Sequence, residues 1–450
     1  MRYYFLFLLS TLSLLACSSA QKPEQLAPKM ELDSSLLVHV QSSYRISGNH
    51  FSDLAMDKKG NSYIASFQKV TRGQDEMSII KIAPNGSIVW NLGKGNRGRA
   101  MAITLDSEQH IWVTGFYAAP IQFGGLRLEQ HPGFFIAQFN EQGQCLKLID
   151  GQDALPTDIS INAKGEILLG GNMGSSVRIG QINYKRAANT SSDFLAKLDT
   201  SGYCHWIKPI DAQVRRIRAD QNGNFYVAGS YYERFVFEKD TLYTESDYDQ
   251  NGFLLQINDS SPYWLQTFGQ KGHLKNGHRS SEAASDIFIN RKGEVLLAAF
   301  QESSFDLNLP SPSNTPTLDL HLFVFDSLGN KLEESLLIEG ALAKSPATIT
   351  QDDKGQIWIS GQLEDSAKIA GKQYDFPSAK QSFLLQLNKK SKQLKMILFP
   401  EHASNMAFRA AASSKDYIAF AGHFQEFLKI GEQKIQNEGE HSLFYLVVFF

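Results

Sequence analysis

A fourteen-residue segment recurs along the chain, and this repetition constrains the fold more than any other feature of the sequence. Its clearest copy is RIRADQNGNFYVAG (residues 216–229), in which a polar turn separates two apolar stretches. Six of the seven copies carry Asp or Asn at the fifth position, and glycine usually follows three residues later. These residues favour tight turns between alternating strands, so each copy predicts a β-hairpin. Aligned without gaps, the copies begin at residues 53, 102, 158, 216, 286, 348 and 409.

A second hairpin follows six of these copies, as in FLAKLDTSGYCHW (residues 194–206). Four antiparallel strands per repeat are typical of a β-propeller blade. The last position of the first segment is always small, which predicts a close backbone approach there. The residues at that position are Ser66, Gly115, Gly171, Gly229, Ala299, Gly361 and Gly422.

The two ends of the repeat array complement each other. The last copy is followed by a single further strand, SLFYLVVFF (442–450), and SLLVHVQSSYRISG (35–48) precedes the first hairpin. Unpaired, these apolar strands would be edges open to aggregation. We therefore predict an all-β fold, a seven-bladed β-propeller of four-stranded antiparallel blades. In this fold an N-terminal strand closes the ring by pairing with the C-terminal strand, and residues 35–450 form one domain.

The order of these elements resembles the SBBP (seven-bladed beta-propeller) repeat family of secreted bacterial proteins. The resemblance depends on DQNGNFYVAGSY (220–231), on IQFGG (121–125) or LKIG (428–431), and on DFLAKLDTSGYCHW (193–206). It implies the propeller fold, but it transfers no activity because that family has no shared catalytic residues. The tryptophan expected on the fourth strand remains at Trp90, Trp206 and Trp264.

The N-terminal residues predict export. Residues 1–16 place Arg2 before an apolar stretch too short to span a membrane, as in a secretory signal peptide. The sequence LLAC (14–17) resembles the lipobox of bacterial lipoproteins, which implies cleavage before Cys17 and its acylation, with palmitate among the chains. Residues 17–34 then form the lipidated cysteine and a flexible tether. By the same analogy Ser18 favours the outer membrane. The alternative is an ordinary secretion signal that contains a cysteine by chance.

The first position of the repeated segment lies on the innermost strand, where it lines one mouth of the axial channel. Five of these residues are charged, which makes them candidates for a binding site: Asp53, Asp158, Arg216, Asp286 and Arg409. They either pair with each other and cap loop amides, or they bind a polar ligand or cation. A metal site needs tighter spacing of its ligands, and we predict no metal and no cofactor.

Long loops are expected on the same face, at residues 232–252, 266–283 and 301–319. His273 and His278 are candidate binding residues, with solvated side chains as the alternative. Tyr243 and Tyr248 are candidates for a recognition surface, or they cover an exposed ribbon.

The other cysteines, Cys145 and Cys204, occupy equivalent positions on outer strands of adjacent blades. Outer strands of neighbouring blades splay apart, whereas a disulfide tolerates at most about 7 Å between Cα atoms. We therefore predict two free thiols.

The net charge of −3 and the lack of a basic stretch argue against a nucleic-acid partner. No nucleophile elbow, phosphate loop or zinc signature is present in the sequence.

We predict a lipid-anchored, non-enzymatic binding or scaffold module for a protein or glycan at the bacterial envelope, facing the periplasm or the surface. One alternative is a glycan-active enzyme, a lyase or hydrolase, with acids at the channel mouth. Another is a structural subunit of an outer-membrane assembly.

Overall fold

The computed structural model describes residues 46–449. The exceptions are 48, 72–73, 130–131, 188–192, 239, 244–249, 260, 270–281, 303–317, 342–346, 364–365, 370–371, 376–380, 390–392, 399–406, 414–416, 425–426, 431–432 and 437–441. Within the described ranges every regular element is a β-strand, and no helix there is able to cross a membrane. The strands form repeated four-stranded antiparallel modules of the β-propeller type.

The first three modules follow a short initial strand, β1 (Ile46–Ser47). The first contains β2 (Asn49–Met56), β3 (Ser62–Thr71), β4 (Gln74–Ile82) and β5 (Ile88–Leu92), paired in that order. The second contains β6 (Gly98–Leu105), β7 (Ile111–Tyr117), β10 (Gly133–Phe139) and the first part of β11 (Cys145–Ile161), with β8 (Ile121–Phe123) and β9 (Leu126–Leu128) as an accessory hairpin. The third contains the rest of β11, β12 (Glu166–Ile179), β14 (Asp193–Asp199) and β15 (Cys204–Ile210), with β13 (Ile182–Lys185) paired to the end of β12.

The remaining modules repeat this plan. The fourth contains β16 (Gln213–Ala219), β17 (Phe225–Tyr232), β20 (Gln250–Asn258) and β21 (Ser261–Phe268), with the hairpin β18 (Arg234–Phe237) and β19 (Asp240–Tyr243). The fifth contains β22 (Ala283–Ile289), β23 (Val295–Glu302), β24 (Leu318–Phe325) and β25 (Lys331–Ala341). The sixth contains β26 (Thr348–Gln351), β27 (Gln356–Leu363), β30 (Gln381–Asn388) and β31 (Gln393–Leu398), with the hairpin β28 (Ser366–Ile369) and β29 (Lys372–Asp375). The last contains β32 (Ala407–Ser413), β33 (Tyr417–Phe424) and β36 (Ser442–Phe449), with the hairpin β34 (Phe427–Ile430) and β35 (Gln433–Gln436).

The first and last modules are in contact. β1 pairs antiparallel with β36, with Ile46 opposite Leu443. The hydroxyl oxygens of Ser62 and Tyr445 lie 2.7 Å apart. Residues 35–45, most of the N-terminal strand expected from the sequence, lie outside the described residues.

The core lies between successive modules. One cluster joins Tyr63 and Ile79 of the first module to Ile111 and Phe135 of the second, all fully buried. Because each module is covered on both faces, its central strands are apolar along most of their length and do not alternate. β17 shows this clearly, since all its residues except the last are buried.

The accessory hairpins of the third, fourth and sixth modules contact the module that precedes their own. Ile179 of β12 pairs with Gly151 of β11, and Ile369 of β28 pairs with Ile338 of β25. In the fourth module the Asp211 amide donates to the Val236 carbonyl at 2.8 Å. The expectation of one long loop over residues 232–252 is therefore wrong for its first part. The reason is that the alternating apolar residues there pair as β18 and β19, and their inward side chains, Phe235 and Phe237, are fully buried.

The Asx residue of each inner turn determines which side chains surround it. Asp220 Oδ1 accepts two amides of its own turn at 2.9 and 2.8 Å, and Oδ2 accepts the hydroxyl of Tyr226 at 3.2 Å. Asn162 instead donates its side-chain amide to Glu166 Oε2 at 2.7 Å, and Leu168 replaces the tyrosine. A buried carboxylate oxygen needs a donor and a buried amide needs an acceptor. The same pairing recurs at Asp57 with Tyr63, Asp106 with Trp112, Asp352 with Trp358, and Asn290 with Glu294.

In every module but the sixth, the small residue at the end of the repeated segment lies opposite a bulge in the inner strand. In the fourth module the pairing shifts register between Val214 and Arg216. A Cβ atom built on Gly229 would lie 1.9 Å from the Gln213 carbonyl oxygen, and one on Gly115 would lie 2.0 Å from the Arg99 carbonyl oxygen. The predicted close approach is confirmed at these two glycines, where the bulge accounts for it. It does not extend to Gly361, where a Cβ would lie 3.7 Å from Ala347 Cα, and Ser66 and Ala299 carry a side chain at the same position.

The gap-free alignment is wrong in the last copy. In the first module five residues separate the paired Met56 and Ser62, whereas four separate Ser413 and Ile418 in the last. The shorter connection moves the register by one residue. Ala410 therefore takes the position equivalent to Asp53, and Arg409 falls at the bulge.

Cys145 and Cys204 are free, as predicted. Burial raises the pKa of the Cys145 thiol to about 11 and that of Cys204 to about 12. Because the thiolate is the reactive form, both should resist alkylation at pH 8. We expect a Cys17→Ser variant, which retains only these two cysteines, to incorporate iodoacetamide by mass spectrometry only after unfolding in guanidinium. Rapid labelling of the native protein, or a disulfide between the two, would contradict this account.

Candidate functional site

Three aspartates predicted at the channel mouth occupy the same place in alternate modules. Asp53, Asp158 and Asp286 each follow the bulge of an inner strand, opposite a small residue of the second strand. Their exposed fractions are only 2, 0 and 3%. Carboxylates this deeply buried require hydrogen-bond donors.

Each aspartate accepts a hydrogen bond from the inner strand of the next module. The donors to Asp53, Asp158 and Asp286 are the backbone amides of Ile103, Ile217 and Ile349, at N···O distances of 3.0, 2.7 and 3.1 Å. The second oxygen of Asp158 and of Asp286 accepts the amide of the following residue in its own strand, at 2.9 and 3.0 Å. The carboxylates thereby connect the first module to the second, the third to the fourth, and the fifth to the sixth.

Two arginines of β16 complete this charged cluster. Arg216 Nε lies 3.2 Å from Asp286 Oδ1. Arg218 bridges two carboxylates, with Nη1 at 3.2 Å from Asp158 Oδ2 and Nη2 at 3.5 Å from Asp286 Oδ1. The contacts observed are of the first predicted kind, mutual pairing and amide capping, although the capped amides belong to inner strands and not to loops. Arg218 was missed by the sequence reasoning, although its place two residues after Arg216 put it on the same side of the strand.

These groups also act on one another electrostatically. Burial raises the pKa of Asp53 to about 6, with Arg216 opposing and Asp158 adding to the shift. Burial disfavours the charged form of Arg216, but the surrounding carboxylates, Asp286 foremost, raise its pKa above the ordinary value. The cluster is thus one network of interacting charges inside the protein.

The other predicted site residues are dispersed. Tyr243 ends β19 with 74% of its surface exposed. Cys17, Tyr248, His273 and His278 lie outside the described residues. Within the described ranges no three His, Cys, Asp or Glu side chains group together so as to hold a metal ion.

A cavity of about 1120 Å³ opens beyond the C-terminal ends of the inner strands. We call it the turn-end cavity. It is lined by turns of the first, fourth, fifth and sixth modules, and its lining comprises Met56, Asp57, Lys58, Gln221, residues 288–292, Glu294, residues 351–356, Asn388 and Lys389. It combines apolar, amide and charged side chains, as ligand sites commonly do.

The carboxylates of this cavity are already engaged. Asp57 and Asp352 accept hydrogen bonds within their own turns. Glu294 accepts from Asn290 at 2.8 Å and lies 3.3 Å from Lys389 Nζ. Asp353 pairs with an arginine of the fifth module at 2.6 Å. The cationic side chains of the lining are Lys58, Arg291, Lys292, Lys354 and Lys389.

In the sequence these turns serve as markers of the repeat, and the cavity was not predicted from them. The cavity could have been found from the residue types at the two positions that follow the Asx residue of each turn. Cations recur there at Lys58, Lys59, Lys164, Arg291, Lys292 and Lys354.

No family model and no curated protein sequence matches the chain. Among solved structures it is similar to a streptogramin B lyase, with 11% identity, a TM-score of 0.47, and coverage of 90% of this chain and 97% of that one. It is also similar to a protein of unknown function from Dyadobacter fermentans DSM 18053, with 9% identity, a TM-score of 0.43, and coverage of 90% and 96%. The Dos1 propeller gives 8% identity, a TM-score of 0.43, and coverage of 90% and 94%. These values carry no argument about activity, and the propeller assignment rests on the strand order described above.

Proposed function

We propose that the modules are seven blades of a closed ring, completed by an N-terminal strand on the last blade. The pairing of β1 with β36 supports closure, although it involves only Ile46 and Ser47. The shared core between the first and last modules also supports it, since Ile64 and Ile80 pack there with Ala419 and Tyr445. A closed ring leaves no apolar strand edge at either end of the array.

We propose further that the protein is a non-enzymatic binding or scaffold module for a protein or glycan. A lipid on Cys17 would hold it at the outer membrane of a bacterial envelope. One observation carries the binding function: the buried carboxylates serve contacts between modules, whereas the turn-end cavity is open and lined by side chains suited to a polar ligand. The cluster at Asp53, Asp158 and Asp286 therefore acts as a structural element.

A glycan-active enzyme is the alternative, and one observation favours it. The pKa of Asp53, about 6, is in the range of a catalytic acid. A catalytic acid must also reach its substrate, and Asp53 is 2% exposed with one oxygen bonded to the next module. Geometry therefore favours binding over catalysis.

The test separates retention from turnover. The lipidated protein, extracted from its native membrane in detergent, is incubated with envelope polysaccharide and envelope protein, and the bound and free material is analysed by size and mass. We expect saturable retention of a partner that stays intact through prolonged incubation. Progressive shortening of a glycan, lost in an Asp53→Asn variant, would establish the enzyme instead.

The anchor is tested separately by fractionation. The unaltered protein should sediment with outer membranes, and a Cys17→Ser variant should appear in the soluble fraction. Equal distribution of the two proteins would refute the lipid anchor.

A further inference from the structure

We propose that the turn-end cavity binds an acidic oligosaccharide, a short glycan that carries carboxylate groups. This inference rests on the proposed binding function and names the chemical class of its ligand. It follows from the charge, the neutral lining and the size of the cavity.

The charged groups of the cavity differ in how far they remain available to a ligand. The lining carboxylates are held by their own turns or by neighbouring cations, as described above. Lys58 and Lys292, in contrast, form no ion pair with any described residue, and the charge of Lys292 acts on Glu294 without direct contact. The lining has five cationic side chains and four carboxylates, and the two carboxylates that hydrogen-bond within their own turns, Asp57 and Asp352, are only 4 and 5% exposed. The charges that an entering ligand would meet at the surface of the cavity are therefore mainly positive, which favours carboxylates.

The neutral lining fits the rest of a sugar. Gln221, Gln351 and Gln356 supply amide donors and acceptors for hydroxyl groups. Gln351 uses Nε2 to donate to the Gly355 carbonyl at 3.1 Å. Met56 and Phe288 are partly exposed and offer an apolar surface on which the C–H face of a sugar ring can pack.

Size and the placement of the charges favour an oligosaccharide over a compact anion. The cavity exceeds the ~300–1,000 Å³ common for single small-molecule sites. The two lysines outside the ion pairs also come from separate modules, Lys58 from the first and Lys292 from the fifth. Positive groups supplied by different modules match a ligand that carries several carboxylates along a chain.

The test uses calorimetry with two defined acidic probes, oligogalacturonate and oligosialic acid, each with its carboxyl-reduced counterpart. We expect the unaltered protein to bind an acidic probe saturably, more weakly as NaCl is raised, and to bind the reduced forms poorly. A Lys58→Ala/Lys292→Ala double variant should lose affinity by roughly tenfold or more, because two charge contacts are removed.

The matched control is Lys185→Ala/Lys372→Ala, which removes two exposed lysines of accessory hairpins and the same net charge. It should bind like the unaltered protein, and both variants should keep the native thermal unfolding transition. Equal loss of affinity in both variants would mean that binding depends only on the net charge of the protein, and it would overturn the assignment of the ligand to the turn-end cavity.

Further outcomes also overturn the inference. Undiminished binding by the Lys58→Ala/Lys292→Ala variant would move the site elsewhere. Binding of neither acidic probe, or equal binding of the reduced forms, would overturn the acidic-glycan class, as would preferential binding of inorganic phosphate or an acidic peptide. The binding function itself would survive such results if the protein still retained intact envelope material in the preceding test.

Discussion

Replacing Asp158 with alanine is expected to lower the free energy of unfolding by about 3–5 kcal/mol, because two buried amides each lose a hydrogen-bond acceptor, at ~1–3 kcal/mol each. The side chain is fully buried and bonds the amides of Ile159 and Ile217. Its removal leaves the Ile217 amide unsatisfied inside the protein and deprives Arg218 of a carboxylate at 3.2 Å. Because Ile217 belongs to the next module, the loss acts on the interface between modules.

Urea denaturation followed by tryptophan fluorescence measures this change. The control is Glu108→Ala, which removes a carboxylate whose side chain is 77% exposed on an inner turn, and a shift within about 0.5 kcal/mol is expected for it. Equal stability of the Asp158→Ala and Glu108→Ala variants would mean that the interface is held by apolar packing alone. The charged cluster would then be free for another role, and the enzyme alternative would gain support.

The repeat predicted the hairpins because the residues whose contacts form each hairpin lie close together in the sequence. Asp220 and Tyr226 illustrate this, since the turn residue and its hydrogen-bond donor are six positions apart. At Asn162 the turn residue is an amide that donates, and Glu166 supplies the acceptor. This exchange can be read from the sequence once it is known that an Asp turn residue needs a donor and an Asn turn residue needs an acceptor.

Register and long-range placement were harder to predict. Arg409 was assigned one position wrongly because SSKDY has no turn glycine to show that the connection is shorter. The turn-end cavity was missed because its lining comes from modules far apart in sequence, such as Met56 and Lys389. Contacts of this kind depend on how the sheets are arranged about each other, which residue periodicity within one sheet does not report.

The second large effect is expected at Gly229, where substitution by alanine should cost about 3 kcal/mol or more, at the upper end of overpacking in a filled core. The added methyl would lie 1.9 Å from the Gln213 carbonyl oxygen and 2.9 Å from the Phe253 ring. Neither the bulged strand nor the buried ring can move without disturbing the core of the fourth module.

Gly125→Ala is the matched control, because a Cβ there meets no atom within 4 Å, and its unfolding midpoint should stay within experimental error of the unaltered protein. The fifth module shows what a failed prediction would mean. Ala299 occupies the position equivalent to Gly229, opposite Ala284, and so that inner hairpin already accommodates a methyl group. If Gly229→Ala proved as stable as Gly125→Ala, the fourth module could accommodate a methyl group at little cost, as the fifth does. Glycine at this position would then reflect no steric requirement, and the bulge would not explain the small residues that mark every repeat.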